Sequence, residues 1–247
     1  MTMFKPCIVI PVYNHEHAIG KVVAQALVHG LPLILVDDGS SSDCAATLDR
    51  LVGEYTGQVV LERHALNQGK GGAVLTGFAR AAREGYSHVL QVDADGQHSV
   101  DDIPRFLDAA RATPDAVVAG CPLYDESVPA LRLYARYLTH VWVWINTLSL
   151  AIRDSMCGFR VYPVVPVLAL AGRRRLGLRM NFDIEILVRL YWDGVAVVNL
   201  PTRVGYPEDG ISHFKAWTDN VLISRLHVAL FFGMLPRIPS LVVRKWR

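Results

Sequence analysis

The chain has 247 residues, 51% of them hydrophobic and 19% charged, and a net charge of +2. That is enough apolar side chain for one large α/β domain or two small ones, and it excludes a disordered chain. So small a net charge leaves no electrostatic footprint for nucleic acid, although Arg173, Arg174, Arg175 and Arg179 cluster and the sequence ends Arg244-Lys245-Trp246-Arg247.

Residues 7–10 form a short, wholly apolar run closed by Pro11, the pattern of a strand buried on both faces. Residues 33–36, 59–61, 88–92 and 116–119 repeat it. Segments 16–28, 43–54, 72–83 and 102–112 lie between and carry helical spacing. Such alternation predicts a mostly parallel sheet with helices on both faces. Ligands in these sheets bind beyond the carboxyl ends of the strands, where Tyr13-Asn14, Asp37-Asp38 and Asp93-Ala94-Asp95 fall.

Past about residue 125 the texture changes. Residues 132–152 are aromatic and apolar, 182–192 read as a helix ended by Gly194, 196–200 as a strand and 206–212 as a loop. An apolar stretch at 221–235 is broken by Pro236 and Pro239. The mean hydropathy of +0.25 is high for a freely soluble protein. No stretch reaches the ~18 uninterrupted apolar residues of a spanning helix, and the first residues lack a signal-peptide core. The four cysteines (Cys7, Cys44, Cys121, Cys157) lack Cys-x-x-Cys spacing, so neither disulfides nor structural zinc are expected, as in a reducing compartment.

Four motifs carry chemistry. In Asp93-Ala94-Asp95-Gly96-Gln97-His98, two carboxylates one residue apart and Gln97 can present several oxygens to one Mg²⁺ or Mn²⁺. Such an ion offsets charge growing on a departing diphosphate; a turn built only on local hydrogen bonds is the competing account. In Asp37-Asp38-Gly39-Ser40-Ser41-Ser42-Asp43 the serines cap the next helix, while Asp38 sits where a base or ribose would lie. Two adjacent acids are costly unless something positive or hydrogen-bonding meets them. Tyr13, in Pro11-Val12-Tyr13-Asn14, suits either stacking on a base or packing. Asn67-Gln68-Gly69-Lys70-Gly71-Gly72 opens a helix with glycines that permit close approach of phosphate, and Lys70 adds charge.

Taken in this order, PVYN, VDDGS, NxGKGxA and DADGQH resemble the family-2 glycosyltransferases with the GT-A fold. Asp154-Ser155-Met156-Cys157-Gly158-Phe159-Arg160 and Phe182-Asp183-Ile184-Glu185 look like the later blocks of the polyprenyl-phosphate hexose synthases: the dolichol-phosphate mannose and glucose synthases and their bacterial relatives. The resemblance implies a Rossmann-like, seven-stranded or similar mixed sheet flanked by helices, and inversion at the anomeric carbon. It implies that Pro11, Tyr13, Asn14, Asp38 and Asp93 hold the nucleotide; Lys70 joins these candidates from its own glycine-rich motif. Asp93, Asp95 and Gln97 would surround the metal, and Arg160, Arg203 and Ser212 would lie near phosphates of donor or acceptor. One departure stands out: the subgroup's Gly-x-Ser-Lys is here Gly210-Ile211-Ser212-His213, a permanent cation replaced by one charged only in part near neutral pH.

The expected function is transfer of a hexose from a UDP- or GDP-linked donor to a lipid, foremost a polyprenyl phosphate. A phosphate acceptor is already anionic; a hydroxyl acceptor on another lipid needs a carboxylate base, for which Asp154, Asp183 and Glu185 are candidates. Asp183 and Glu185 lie roughly 200° apart around a helix, so Asp183 is expected to face inward and Glu185 to form a surface ion pair with Arg189. Residues 1–215 form the expected glycosyltransferase domain, with 1–120 holding the nucleotide and 121–215 the acceptor, and 216–247 an amphipathic, basic segment. Segments 132–152 and 221–247 read as interfacial helices, with the terminal residues hard to bury, which predicts peripheral attachment to the cytoplasmic face of a membrane. A dinucleotide-dependent oxidoreductase is disfavoured because the turn after the first strand lacks glycine. A non-catalytic membrane adaptor is disfavoured because Asp93 and Asp95 are both present.

Overall fold

The structure is a computed structural model and describes residues 3–123, 130–205 and 216–244. Seven strands form one sheet in the order β3-β2-β1-β4-β6-β5-β7: β1 (Pro6–Val12), β2 (Leu33–Asp37), β3 (Val59–Arg63), β4 (His88–Gln91), β5 (Val117–Leu123), β6 (Arg160–Pro163) and β7 (Val197–Arg203). All pairings are parallel except those of β6, which runs antiparallel between β4 and β5. The expected mixed, mostly parallel sheet is present, and its two sequence halves share it.

Strand side chains alternate between two cores. Cys7, Val9, Ile34, Val36, Val89 and Val117 enter one; Ile8, Ile10, Leu33, Leu35, Leu90 and Val118 enter the other. The first core is covered by α3 (Lys70–Arg83), α6 (Val164–Arg173), α7 (Phe182–Trp192) and α8 (Ala216–Met234), the second by α1 (Glu16–Leu27), α2 (Ser42–Glu54) and α4 (Ile103–Ala112). Full burial of each such aliphatic side chain stabilises by about 1.5–3 kcal/mol, which is why these runs are apolar at every position.

Several sequence expectations need correction. Strand β1 continues through Pro11 to Val12, because a proline without its N–H still accepts through its carbonyl and extended φ suits it. Both β6 and α6 went unrecognised: four strand residues opening with Arg160 carry no apolar alternation. The 132–152 segment is helical as α5 (Ala130–Thr147) and then turns. Contrary to expectation, one stretch, Trp217–Val243, is long and apolar enough to cross a membrane by length and composition. It is a half-packed element: Ile223, Leu226, Leu230 and Met234 are buried along one face of α8, while Trp217, Val228 and Phe232 are exposed on the other. The tail is also better buried than expected. Leu241 on α9 (Ile238–Val243) is buried, and Arg244 donates to the carbonyls of Tyr191, Gly194 and Val195 at the end of α7.

Candidate active site

The carboxyl ends of β1, β2 and β4 deliver the first three motifs to one rim. Asn14 sits at φ 53°, a left-handed conformation that asparagine tolerates, and its side-chain oxygen accepts from Ser41 N–H at 2.8 Å. Ser41 caps α2 as expected, accepting from Cys44 N–H. Pro11 is buried and Tyr13 partly exposed beside them.

The paired acids are met as their cost requires. Asp37 accepts from Arg63 Nε at 2.8 Å and from Ser40 N–H at 2.9 Å. Asp38 is engaged through both oxygens: by His64 Nδ1 at 2.8 Å, Gln68 N–H at 2.8 Å and Gly69 N–H at 2.8 Å. Only 2% exposed, Asp38 is turned inward and shapes the loop before α3. His64 completes that bracing through Thr76 Oγ1 at 2.9 Å.

The glycines before and inside α3 serve packing. A Cβ on Gly69 would lie 2.4 Å from the Leu178 carbonyl, and one on Gly71 2.6 Å from the Phe182 ring. Gly71 N–H donates to Leu178 O at 2.8 Å. The close approach these glycines permit in the structure is to α7 and the turn before it.

Lys70 therefore points into the protein. Its ammonium lies 2.8 Å from Asp93 Oδ1 and 2.8 Å from Asp183 Oδ2, bridging the end of β4 and the first turn of α7. Burial alone would discharge it, but Asp183 and Asp93 outweigh that and raise its pKa well above the usual lysine range. Burial likewise opposes charge on Asp93, yet Lys70 and His98 (Nε2 to Oδ2, 3.4 Å) hold it well below the carboxylate range. Gly158 makes room, since a Cβ there would lie 2.3 Å from Asp93 Oδ2. Asp183 faces inward as expected and also accepts from Gln91 Nε2 at 3.2 Å.

The other candidate acids are occupied. Asp154 is gripped by Arg136 at 2.8 and 2.7 Å, approached by His140 at 3.3 Å, and accepts from the N–H groups of Met156 and Cys157. Glu185 pairs with Arg189 at 2.7 Å as predicted, but Glu185 itself is buried and also accepts from Gly177 N–H. The assumption of one inward face fails because α7 is buried almost all round: only Arg189 and Trp192 are not.

Arg160 is not at an open rim. It is fully buried, donating through Nη1 to Tyr162 Oη at 2.9 Å and to the Asp183 carbonyl at 2.7 Å, so it lies beneath Asp183. Arg203 is exposed at the end of β7 and, with Asp95, Gln97, His98, Lys21 and His15, lines a cleft of about 750 Å³. Ser212, His213 and the 206–212 loop lie outside the described residues.

Asp93, Asp95 and Gln97 offer the hard oxygen donors that suit Mg²⁺ or Mn²⁺. They do not complete a site: among the described residues no three acidic, histidine or cysteine side chains are grouped to hold an ion. Asp95 Oδ1 accepts from Gln97 N–H at 3.0 Å, which folds the motif back beside the cleft. The donors fit an ion that draws further oxygens from its substrate. His98 stands inside the metal motif but was given no role, and Gln91, Arg136 and His140 were missed because no motif marks them and their partners lie on other elements.

Residues 7–169 match the family model described as glycosyl transferase family 2. The chain is 28% identical over 221 residues to the polyprenol monophosphomannose synthase of Mycolicibacterium smegmatis, covering 83% of this chain and 79% of that one. It is 26% identical over 199 residues to the undecaprenyl-phosphate mannosyltransferase of Micrococcus luteus, covering 78% and 80%. Its fold is similar to that of glucosyl-3-phosphoglycerate synthase from Mycobacterium tuberculosis, solved with Mn²⁺, UDP-glucose and phosphoglyceric acid: TM-score 0.64, 18% identity, 93% of this chain and 79% of that one. With more than half its length inside the family model, a mostly parallel seven-stranded sheet and an aspartate-rich rim at the strand ends, the chain belongs to glycosyl transferase family 2.

Proposed function

We propose that the protein is an inverting, metal-dependent hexosyltransferase that moves a sugar from a UDP- or GDP-linked donor to a polyprenyl phosphate. The donor class is supported by the UDP-glucose complex of the structural neighbour and the acceptor class by the mannosyl-transferring relatives. Residues 1–120 hold the nucleotide in this reading, with Pro11, Tyr13 and Asn14 at its rim, and 121–215 the acceptor. Asp93, Asp95 and Gln97 would hold Mg²⁺ or Mn²⁺, whose charge offsets that building on the diphosphate as the sugar leaves.

One observation carries the choice of acceptor: each carboxylate that would serve as a base is already tied to a cation. Asp183 is held by Lys70, Asp154 by Arg136 and Glu185 by Arg189. A hydroxyl nucleophile needs a carboxylate able to take its proton; a phosphate brings its own anionic oxygen. Arg203, exposed on the cleft and in no ion pair among the described residues, is placed to receive that phosphate.

Peripheral attachment on the cytoplasmic side completes the reading. On α5, Tyr134, Tyr137 and Leu138 are exposed, as are Trp217 and Phe232 on α8. With its opposite face packed on the core, α8 is suited to lie on a lipid surface rather than cross it. The deciding experiment offers UDP- and GDP-hexoses, with and without Mn²⁺ or Mg²⁺, against a polyprenyl phosphate and the matching free alcohol. Metal-dependent transfer to the phosphate alone is expected, and it is lost in a folded Asp95→Ala protein. Transfer to the alcohol alone, or indifference to every donor, refutes the assignment.

A further inference from the structure

We propose that Lys70 is an internal cation standing beside the metal-binding carboxylate of the free enzyme, so that a divalent ion enters only together with the donor's diphosphate. The inference rests on the metal reading given above. Lys70 Nζ is 2.8 Å from Asp93 Oδ1, 3.0 Å from Asp93 Oδ2 and 2.8 Å from Asp183 Oδ2. One ammonium thus engages both oxygens of the first acid of the metal motif.

The backbone beneath both partners is fixed. The backbone that carries Lys70 is pinned, with Gly69 and Gly71 packed against Leu178 and Phe182. Asp93 is backed by the Gly158 backbone on one side and approached by His98 on another. An ion arriving at Asp93 therefore meets a positive charge already in contact with the same oxygens. Lys70 and Asp93 are 18% and 20% exposed at their side chains, so water screens that repulsion poorly.

A diphosphate reverses the balance. Its oxygens complete the coordination that the protein side chains leave short and offer the ammonium a new anionic partner. Lysine is well matched to such an exchange. A point charge on a flexible stem can exchange Asp93 for phosphate while keeping Asp183, whereas the bidentate grip of arginine on Asp154 cannot. Metal and nucleotide then raise each other's affinity by the same factor, as linkage requires.

The test is calorimetric titration of the full chain with Mn²⁺ alone and again with saturating UDP or GDP, for wild type and Lys70→Met. In wild type the nucleotide is expected to raise Mn²⁺ affinity at least roughly tenfold, within the usual range of coupling between sites. Lys70→Met is expected to bind Mn²⁺ alone roughly tenfold more tightly than wild type, with the nucleotide's enhancement reduced to match. Equal Mn²⁺ affinity in the two proteins, with the enhancement intact, overturns the role of Lys70 and leaves the metal site standing. No Mn²⁺ binding to wild type even with nucleotide overturns both. Should Lys70→Met fail to fold, reductive methylation of the wild type read by mass spectrometry decides. Lys70 is expected to stay protected at saturating Mn²⁺ alone and to change reactivity only when nucleotide is present with it; a change with Mn²⁺ alone, or no change with both, refutes the proposal.

Discussion

Asp93, after β4, and Asp154, in the turn before β6, are both held by a cation from a separate helix and both driven well below the ordinary carboxylate range. They differ in the cation and in what lies beyond it. Arg136 forks onto both oxygens of Asp154, and two backbone N–H groups fill what remains; Asp154 is 5% exposed. Asp93 has a lysine, a distant histidine and, among the described residues, no backbone donor, and its side chain stays 20% exposed. A saturated carboxylate fastens helix α5 to the turn before β6. An incompletely saturated one keeps capacity for a ligand. Under the proposed function, the contrast separates an acid that fastens the fold from one that serves the site.

The largest expected effect comes from breaking the saturated cluster. Asp154→Ala leaves Arg136 and His140 facing a site with no counter-charge, and removal of one partner from such a buried pair costs about 3 kcal/mol or more. Denaturant unfolding of the variant should show that loss. The pH dependence has a defined sign. Because the folded pKa is depressed, the contribution of Asp154 is complete above the unfolded value near 3.9 and is lost as pH falls through the lower folded value. The difference between wild type and variant should therefore narrow on acidification below about pH 4, and a constant difference down to pH 2 contradicts the cluster's role.

Breaking the unsaturated cluster should move activity instead. Asp93→Asn keeps shape and removes the charge that faces Lys70 and the proposed metal site. Loss of one such electrostatic contact costs about 100-fold in rate, ~2.7 kcal/mol. Lys70 retains Asp183 as partner, so the unfolding midpoint should shift far less than in Asp154→Ala. A variant that transfers sugar at near-normal rate, or that unfolds as readily as Asp154→Ala, erases the distinction between the two acids.

That distinction marks where sequence legibility ends. Strand–helix alternation through α4 was readable because runs such as Cys-Ile-Val-Ile are buried on both faces and helices between them keep a 3.6-residue period. The four early motifs were readable as a set and led to the family. What they did not reveal is direction: Asp38 and Lys70 both turn inward, because His64, Asp183 and the turn at Leu178 come from remote parts of the chain. Strand β6 was hidden since its first residue, Arg160, is a buried cation that mimics a surface or phosphate-binding residue. Glu185 was misplaced for a related reason: a helix buried all round has no polar face to betray its orientation.

The smallest expected effect extends the comparison to a buried titratable group with no counter-charge described beside it. His227 on α8 is 4% exposed, stacked near Trp142 with ring centroids 6.0 Å apart, and hydrogen-bonded through Nδ1 to Asn146 at 3.3 Å. Burial pushes its pKa down from 6.5 to about 4. The sign is opposite to that of a histidine gaining an acidic partner. The unfolded chain takes up the proton first, so the neutral ring's stability is complete above pH 6.5 and drains away as pH falls toward about 4. By about pH 5 the loss should be on the order of 2 kcal/mol. In His227→Leu this dependence disappears. Thermal unfolding of the two proteins should therefore diverge as pH is lowered from 7 to 5, with wild type losing ground. Parallel curves would mean that the α5–α8 contact admits enough water, or a compensating charge, to carry a protonated ring, and the apolar packing assigned to α8 would have to be looser than its buried face indicates.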